Sequence, residues 1–263
     1  MTRDILRLVA CGVLAIALAG VTVSAQLRGR DVTDLDPANA GRGRGPVGKT
    51  PKEAAPIDLT GYWVSIVSED WRFRMVTPPK GDFPDFLLNP AGAKFANAWD
   101  AAKDEAEKDH CKAYGATNIM RVPGRFHITW ADATTLKIET DAGQQTRLLK
   151  FGVAGPAPST GSGQATPPSR QGTSAAQWER KALRVDTSNL LPGYLQSNGV
   201  PFSANVAMVE YVDVIKEPGG EIWLIDDSVI TDPAYLVRSV KRSTHLRKQA
   251  DASGWSPEPC SAR

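Results

Sequence analysis

Acidic residues on predicted strands are the side chains of this chain that could do acid–base chemistry. Glu210 and Asp226 lie in two consecutive runs, VAMVEYVDV and EIWLIDDSVI, and one register of a hairpin between them would place the two carboxylates opposite each other. Two carboxylates held together raise one of their pKa values, which makes a candidate acid and base. A pair on the solvent side fits the same pattern. Asp226 and Asp227 cannot form such a pair, because neighbours on a strand point to opposite faces.

Two further residues are candidates for a catalytic role. Asp186, in the run LRVDT, could share a cavity with Glu210. His127 could form a dyad with Glu139, but it alternates with apolar residues and therefore belongs to the solvent side. The chain contains no nucleophile-elbow, phosphate-loop, dinucleotide-binding or HExxH motif. The sequence therefore leaves enzymatic activity open.

Metal and cofactor sites are not expected. The chain has three histidines, and His110-Cys111 has no second cysteine or carboxylate nearby at a helical ligand spacing. The net charge of +2 argues against a dedicated nucleic-acid binder. A small-molecule ligand is the partner that the sequence favours.

Residues 121–151 form the segment around which the fold is expected to be organised. Two runs there alternate apolar with polar residues, which is the period of a half-buried strand, and a third run follows a turn. Two registers of the first hairpin fit this pattern. In one, Trp130 faces Leu136 and His127 faces Glu139; in the other, the strands are shifted by two residues.

A small barrel built from such strands could hold one ligand in an apolar interior. The predicted inward-facing side chains, which would line that pocket, are Phe126, Ile128, Trp130, Leu136 and Ile138, to which Tyr211 and Trp223 could be added. For any one of these residues, filling the core is the more common role.

The remaining pattern predicts a mainly β fold, which is an antiparallel, lipocalin- or calycin-like β-barrel or a curled sheet. Further strands are expected in GYWVSIV, DWRFRMV and ALRVDT and at residues 235–245, whereas residues 189–205 are expected to be irregular. One helix is predicted at residues 90–109, with Asn89-Pro90 as its start. The apolar face of that helix would be formed by Phe95, Trp99, Ala102 and Ala106.

The N-terminus has the composition of an export signal. Arg3 and Arg7 precede an uncharged apolar run, and Val23-Ser24-Ala25 offers a cleavage site, so residues 1–25 are predicted to be removed. An uncleaved membrane anchor is the alternative, and it would be the only link to a membrane. Residues 26–57 are predicted to be a flexible linker, residues 58–263 a single β-barrel domain, and residues 154–174 a disordered loop within it. We expect the product to be periplasmic or secreted.

Removal of the signal would leave two cysteines, Cys111 and Cys260. In an exported protein such a pair indicates a disulfide. Two free thiols, or one catalytic cysteine, are the alternatives, and no local motif supports a nucleophile.

The order of several short motifs resembles that of a large family of exported bacterial β-proteins with no established activity. The motifs, which span residues 111–245, are VPGR, TDAG, QGTSAAQW, LRVDT, NGVPFS, VEYVD and VITDPAYL. Typical members have TPGR, TDGR, GxWEGDTLVVDT, VVER and IDDPxxY at these places. This chain departs from them at Trp178-Glu179-Arg180, at Glu210-Tyr211 and in the insertion at 154–174. The resemblance implies export and a β fold.

A second resemblance is to lipocalin-like barrels. Gly61-Tyr62-Trp63 is similar to their opening G-x-W, and residues 231–235 are similar to their T-D-x-x-Y region. The resemblance implies that a late arginine, for which Arg242 is the candidate, stacks on Trp63.

Three functional hypotheses follow from these observations. The first is an exported β-barrel that binds a small, partly apolar molecule. The second is a cofactor-independent hydrolase or isomerase that uses carboxylates such as Glu210 and Asp186 in the barrel cavity. The third is a structural or assembly role at the cell envelope.

Overall fold

The computed structural model describes residues 48–153 and 166–262. The predicted export signal at 1–25, residues 26–47 of the predicted linker, and residues 154–165 of the predicted loop lie outside the described residues.

Nine strands close into a barrel, which confirms the predicted mainly β barrel fold. The order around the barrel is β1-β11-β10-β9-β6-β5-β4-β3-β2, and β7 and β8 form a separate hairpin. All neighbouring strands are antiparallel except β4 and β5, which are parallel. The strands are β1 Gly61–Ile66, β2 Arg125–Trp130, β3 Thr135–Thr140, β4 Thr146–Phe151, β5 Thr173–Glu179, β6 Ala182–Ser188, β7 Gly193–Gln196, β8 Val200–Phe202, β9 Ala207–Lys216, β10 Ile222–Thr231 and β11 Val240–Gln249.

The first hairpin adopts one of the two predicted registers. Trp130 pairs with Leu136, and His127 pairs with Glu139. In this register every apolar residue of β2 faces an apolar residue or Thr140 on β3, so the two strands share one buried face.

Short helices flank the barrel, and the predicted single helix at 90–109 is two helices. They are α1 Trp71–Arg74, α2 Pro90–Ala98, α3 Ala101–Ala106 and α4 Ala116–Ile119, with a 3₁₀ helix at Lys112–Tyr114. The predicted start is confirmed, because the Asn89 side chain accepts a hydrogen bond of 2.9 Å from the Gly92 amide. The helix breaks at Trp99, which has an extended ψ of 140°.

The predicted apolar face of this helical region is wrong. Phe95, Ala102 and Ala106 are exposed, and Gly92 and Ala96 are buried instead. A β-carbon on Gly92 would lie 2.5 Å from the carbonyl oxygen of Tyr235. The helix therefore packs through its small residues, because a neighbouring backbone passes directly against it.

Three other predictions about local structure need correction. The run DWRFRMV is a helical turn, α1, and not a strand. Residues 189–205, predicted to be irregular, contain the hairpin β7–β8. The last strand begins at Val240 rather than at residue 235.

The folded part also extends beyond the predicted boundary at residue 58. The Lys52 amide donates to the Ala133 carbonyl at 3.2 Å, and the Trp178 indole N–H donates to the Pro51 carbonyl at 2.8 Å. Residues 48–57 are therefore part of the body. The end of the predicted loop at 154–174 is also part of the folded body, because Ser169 forms an isolated β-bridge with Leu190.

Two apolar clusters fill the molecule. The first, which we call the barrel core, includes Trp63, Phe126, Ile128, Leu136, Leu183 and Leu224. The second, which we call the cap core, is built around β7 and β8 and includes Phe86, Leu195, Val200, Phe202, Met208 and Ile230.

A layer of buried polar side chains separates the two cores. Along β9, the inward residues pass from Met208 in the cap core through Glu210 to Val212 in the barrel core. Along β10, Asp226 and Ser228 lie between Leu224 and Ile230 in the same way. The members of this polar layer are Arg147, Ser174, Thr187, Glu210, Asp226, Ser228 and Thr244.

Cys111 and Cys260 lie at disulfide distance, with their sulfur atoms 2.02 Å apart, as predicted. The bridge joins the segment before α4 to the C-terminal tail across 149 residues.

The predicted stacking of Arg242 on Trp63 is wrong. Lys248 on β11 is the strand partner of Trp63 on β1. Its ammonium group lies 5.3 Å from the centre of the Trp63 ring. Arg242 lies six residues earlier on the same strand, and its guanidinium lies 4.8 Å from the ring of Phe86.

Candidate functional site

The barrel interior is filled by the apolar side chains that were predicted to line a pocket. Phe126, Ile128, Leu136 and Ile138 are buried in the barrel core, and Trp130 packs against it, with its ring 5.7 Å from that of Phe151. The cavity left among them has a volume of about 10 Å³. A space of that size is close to that of a single water molecule. The interior therefore has no room for a drug-sized ligand.

The other two predicted pocket residues lie outside the barrel. Tyr211 is 39% exposed, and the guanidinium of the half-buried Arg184 lies 6.0 Å from its ring. Trp223 alternates with the buried Leu224 and Asp226 and therefore faces outward. The prediction that these two residues could join the interior set is wrong.

The predicted acidic residues are not brought together in one cavity. Glu210 is buried in the polar layer, whereas Asp186 lies on the outer face of β6 and accepts a hydrogen bond of 2.9 Å from Arg184. The barrel wall separates the two carboxylates, because inward and outward side chains alternate along each strand.

His127 lies on the outer face, as its alternation predicted. Its ring stacks on that of Tyr62 at a centroid distance of 4.1 Å, and its Nδ1 atom lies 3.5 Å from Glu139 Oε2. The predicted His127–Glu139 pair therefore exists, but on the barrel surface.

Arg147 and Glu210 form the centre of the polar layer. Arg147 Nη1 donates to Glu210 Oε1 at 2.7 Å, and its Nη2 donates to Glu210 Oε2 and, at 2.8 Å, to Thr187 Oγ1. Both side chains are 3% exposed. This two-point contact is the geometry in which a guanidinium binds a carboxylate most specifically. Both oxygens of the Glu210 carboxylate are bound to Arg147, which makes Glu210 a poor candidate for a free base.

Arg147 is not among the predicted site residues, although the pattern of β4 contains a signal for it. Arg147 alternates with Leu149 and Phe151, and all three are buried. A charged residue in register with an apolar face indicates a buried partner of opposite charge.

Asp226 shares this layer but has no cation of its own. Glu210 pairs with Ser228 and Asp226 with Val212, so the hairpin does not adopt the register that would place the two carboxyls opposite each other, and they are diagonal neighbours. Among the described residues, Asp226 Oδ1 has no hydrogen-bond partner. Burial, and then the negative charge of Glu210, raise the pKa of Asp226 well above its usual range. The neutral form of Asp226 is therefore favoured inside the barrel.

The raised pKa of Asp226 predicts a pH-dependent stability. A carboxyl with a higher pKa in the folded chain is deprotonated first in the unfolded chain, so stability falls as the pH rises above the unfolded value of about 4. Asp226→Asn removes this effect. We expect the variant to be more stable than the wild type at neutral pH, with a free energy of unfolding that is higher by about 1 kcal/mol or more. This difference should become smaller near pH 4.

Urea unfolding at both pH values measures this difference. Asp227→Asn is the matched control, because Asp227 is exposed on the same strand and its charge contributes less than burial and Glu210 to the raised pKa of Asp226, so its substitution should leave most of the pH dependence in place. An Asp226→Asn effect of equal size at both pH values would contradict the prediction.

A cleft of about 570 Å³ opens at one end of the barrel. It lies where β1 ends, β2 and β11 begin, and β3 turns into β4, and the tail at 258–261 forms part of its rim. The apolar part of its wall includes Phe73, Met75, Val76, Phe86 and Val122. The charged part comprises Arg74, Arg121, Lys241, Arg242, Asp70, Asp85 and Glu258.

Two of the three arginines in the cleft wall are neutralised by acidic neighbours. Arg74 forms an ion pair with Glu69, and Arg121 forms one with Asp70 at 2.5 Å. The Arg74 Nε atom also donates to the Arg121 carbonyl at 2.9 Å. Burial, together with the charge of Arg121, lowers the pKa of Arg74, which shows how closely the cations are crowded.

Arg242 is held differently from the other two. Its Nη2 donates to the Leu195 carbonyl at 2.8 Å, and its Nη1 donates to Asn118 Oδ1 at 3.3 Å. Burial, and then the charge of Arg121, lower the pKa of Arg242 to about 9. The cleft therefore contains a guanidinium that is held in place by hydrogen bonds and whose charged form is disfavoured by burial and by a neighbouring cation.

No protein-family model, curated protein or solved structure matches this chain. The fold and the site alone define its class, a closed nine-stranded barrel with a filled interior and an open cleft at one end. In the part of the chain that the structure describes, no helix combines the length and the apolar character needed to cross a membrane. Within residues 48–153 and 166–262, no three His, Cys, Asp or Glu side chains are grouped so that they could hold a metal ion.

Proposed function

We propose that this is an exported β-barrel protein that binds a small, partly apolar molecule in the cleft at the barrel end. The observation that carries the proposal is the cleft itself. Its volume of about 570 Å³ lies within the range of small-molecule sites, about 300–1,000 Å³. Its wall combines apolar side chains with charged and polar groups, which fits a ligand that is only partly apolar.

The filled barrel supports this location. A packed interior gives a rigid frame, and the cleft is formed by loops at the end of that frame, where binding sites usually occur. Export is supported by the Cys111–Cys260 pair at disulfide distance, since such bonds persist in oxidising compartments.

The geometry gives less support to a hydrolase or isomerase that uses Glu210 and Asp186. Glu210 is bound by Arg147, and Asp186 lies on the other face of the barrel wall. A general base must reach the proton that it removes, and these two groups do not line a common cavity.

Native mass spectrometry on protein purified from its own periplasm without detergent tests the proposal. We expect an excess mass that disappears on denaturation. Ser197→Trp, which places a bulky ring in the cleft wall, should abolish that mass. Trp130→Ala, which alters the barrel core instead, should keep it.

The two variants separate the cleft from the barrel interior as the binding site. If the bound mass survives Ser197→Trp in folded protein, or is lost only in Trp130→Ala, the cleft is not the site. Circular dichroism of both variants confirms that each is folded.

A further inference from the structure

We infer that the ligand of the cleft carries an oxyanion, such as a carboxylate, and that Arg242 binds it. This inference rests on the proposed function, because it names the chemical class of the molecule that the cleft holds.

The position of Arg242 is the first argument. Its side chain lies on the inner face of β11, as do those of Thr244 and Leu246. Arg242 is close to Val240, the first residue of the strand, and this end of β11 lines the cleft. Contacts to the Leu195 carbonyl and to Asn118 hold the guanidinium, which also stacks on Phe86. A cation that is already oriented loses less entropy when it binds a ligand.

The unused hydrogen-bonding capacity of Arg242 is the second argument. A guanidinium carries five N–H donors, and Arg242 uses two of them in the contacts to Leu195 and Asn118. Among the described residues, no carboxylate oxygen lies within 4.0 Å of Arg242, whereas Arg74 and Arg121 each have an acidic partner. Planar, two-point binding of a carboxylate is the interaction for which a free guanidinium is best suited.

The balance of charge around Arg242 is the third argument. Burial and the charge of Arg121 disfavour its cationic form, and the charges of Asp70 and Asp85 offset this only in part. An oxyanion in the cleft would supply the missing negative charge. Lys241 lies next to it on the exposed side of the strand, and Glu258 is the further acidic residue of the cleft wall.

The apolar part of the cleft wall is the fourth argument, because it indicates that the rest of the ligand is apolar. The Phe86 ring lies against the Arg242 guanidinium, and Phe73, Met75, Val76 and Val122 line the same cleft. A molecule with one anionic end and an apolar body would satisfy both parts of the wall.

A matched pair of fluorescent probes tests this inference. Anilinonaphthalene sulfonate is an amphipathic anion, and N-phenylnaphthylamine has the same ring skeleton without the sulfonate. We expect both probes to bind the full-length protein, and the sulfonate to bind more tightly. In Arg242→Gln, the sulfonate should lose about tenfold or more in affinity, which corresponds to one charged hydrogen bond, and the neutral probe should be unaffected.

Arg72→Gln is the matched control. Arg72 lies on α1, has a 59% exposed side chain and does not line the cleft, so the same loss of charge there should leave both affinities unchanged. If Arg242→Gln fails to fold, Asp85→Asn replaces it. Removal of this carboxylate from the cleft wall should tighten sulfonate binding and leave the neutral probe unchanged.

The outcomes separate the inference from the proposed function. If Ser197→Trp displaces the neutral probe but neither Arg242→Gln nor Asp85→Asn changes the affinity for the sulfonate, the anion inference is wrong and the cleft remains a binding site. If Ser197→Trp displaces neither probe from folded protein, or if neither probe binds the wild type, both the proposed function and the inference fail.

Discussion

Arg147→Met is expected to lower the free energy of unfolding by about 3–5 kcal/mol at neutral pH. The substitution leaves Glu210 and Asp226 together in the polar layer without the cation that neutralises Glu210. A buried carboxylate without a partner must either stay charged at high cost or take up a proton, and both alternatives destabilise the fold. Urea unfolding, followed by fluorescence, measures the loss.

The pH dependence of this variant follows from the same argument. Near pH 4 about half of each acid is already protonated in the unfolded chain, so keeping them neutral inside the barrel costs less. We therefore expect the gap between Arg147→Met and wild type to narrow as the pH falls.

Two controls distinguish a buried ion pair from a general effect of losing an arginine. The double variant Arg147→Met, Glu210→Leu removes both charges and should recover much of the lost stability, since apolar replacement of a whole buried pair is often neutral. Arg247→Met breaks the exposed pair with Glu221 and should cost less than about 1 kcal/mol. A single Arg147→Met variant within about 1 kcal/mol of wild type would show that the pair contributes little.

Local periodicity was sufficient to predict the barrel. Alternation in β2 and β3 identified the buried face correctly, and the turn at Glu217–Gly220 identified the hairpin of β9 and β10. These features depend on residues that are close in sequence, so a pattern of period two contains most of the information.

Elements controlled by distant contacts could not be predicted in the same way. Trp71, Phe73 and Met75 alternate like a strand, but the segment is a helical turn anchored by ion pairs to Glu69 and, through Asp70, to Arg121. In β7, a β-carbon on Gly193 would lie 2.5 Å from the Lys112 carbonyl, so this glycine marks a close packing contact rather than a flexible loop. Tertiary contacts override local preference at both places.

In the candidate site, too, single residues could be predicted from the sequence, whereas contacts between distant segments could not. Glu210 was recognisable as a chemically important residue, but its partner Arg147 lies 63 residues away, and only the barrel closure brings them together. The cleft is less predictable still, because Arg74, Arg121 and Arg242 come from three separate segments. No spacing along the chain relates them, so the sequence directed attention to the barrel interior instead.

Removal of the disulfide is the second large effect that we expect. Cys260→Ser should lower the free energy of unfolding by about 4–5 kcal/mol, since the bridge closes a loop of 149 residues and restricts the unfolded chain accordingly. Denaturant unfolding in the absence of reductant measures the loss. Cys111→Ser should show the same loss, and the double variant should be no less stable than either single variant. Two alkylatable thiols in non-reduced mature protein would rule out the bridge.

The same substitution should also loosen one side of the cleft. The tail is held at its rim by backbone hydrogen bonds from Gly143 to Glu258 at 2.9 Å and from Glu258 to Asp141 at 3.0 Å, beside the cysteine. Without the bridge only non-covalent contacts hold the tail, and terminal segments open more readily than core strands. Hydrogen exchange of the Glu258 amide should therefore accelerate in Cys260→Ser under native conditions, whereas exchange of the Leu224 amide in β10 should follow only the global loss of stability. An unchanged Glu258 rate, after correction for that loss, would mean that the tail is held by its backbone contacts and that the disulfide acts on the unfolded chain alone.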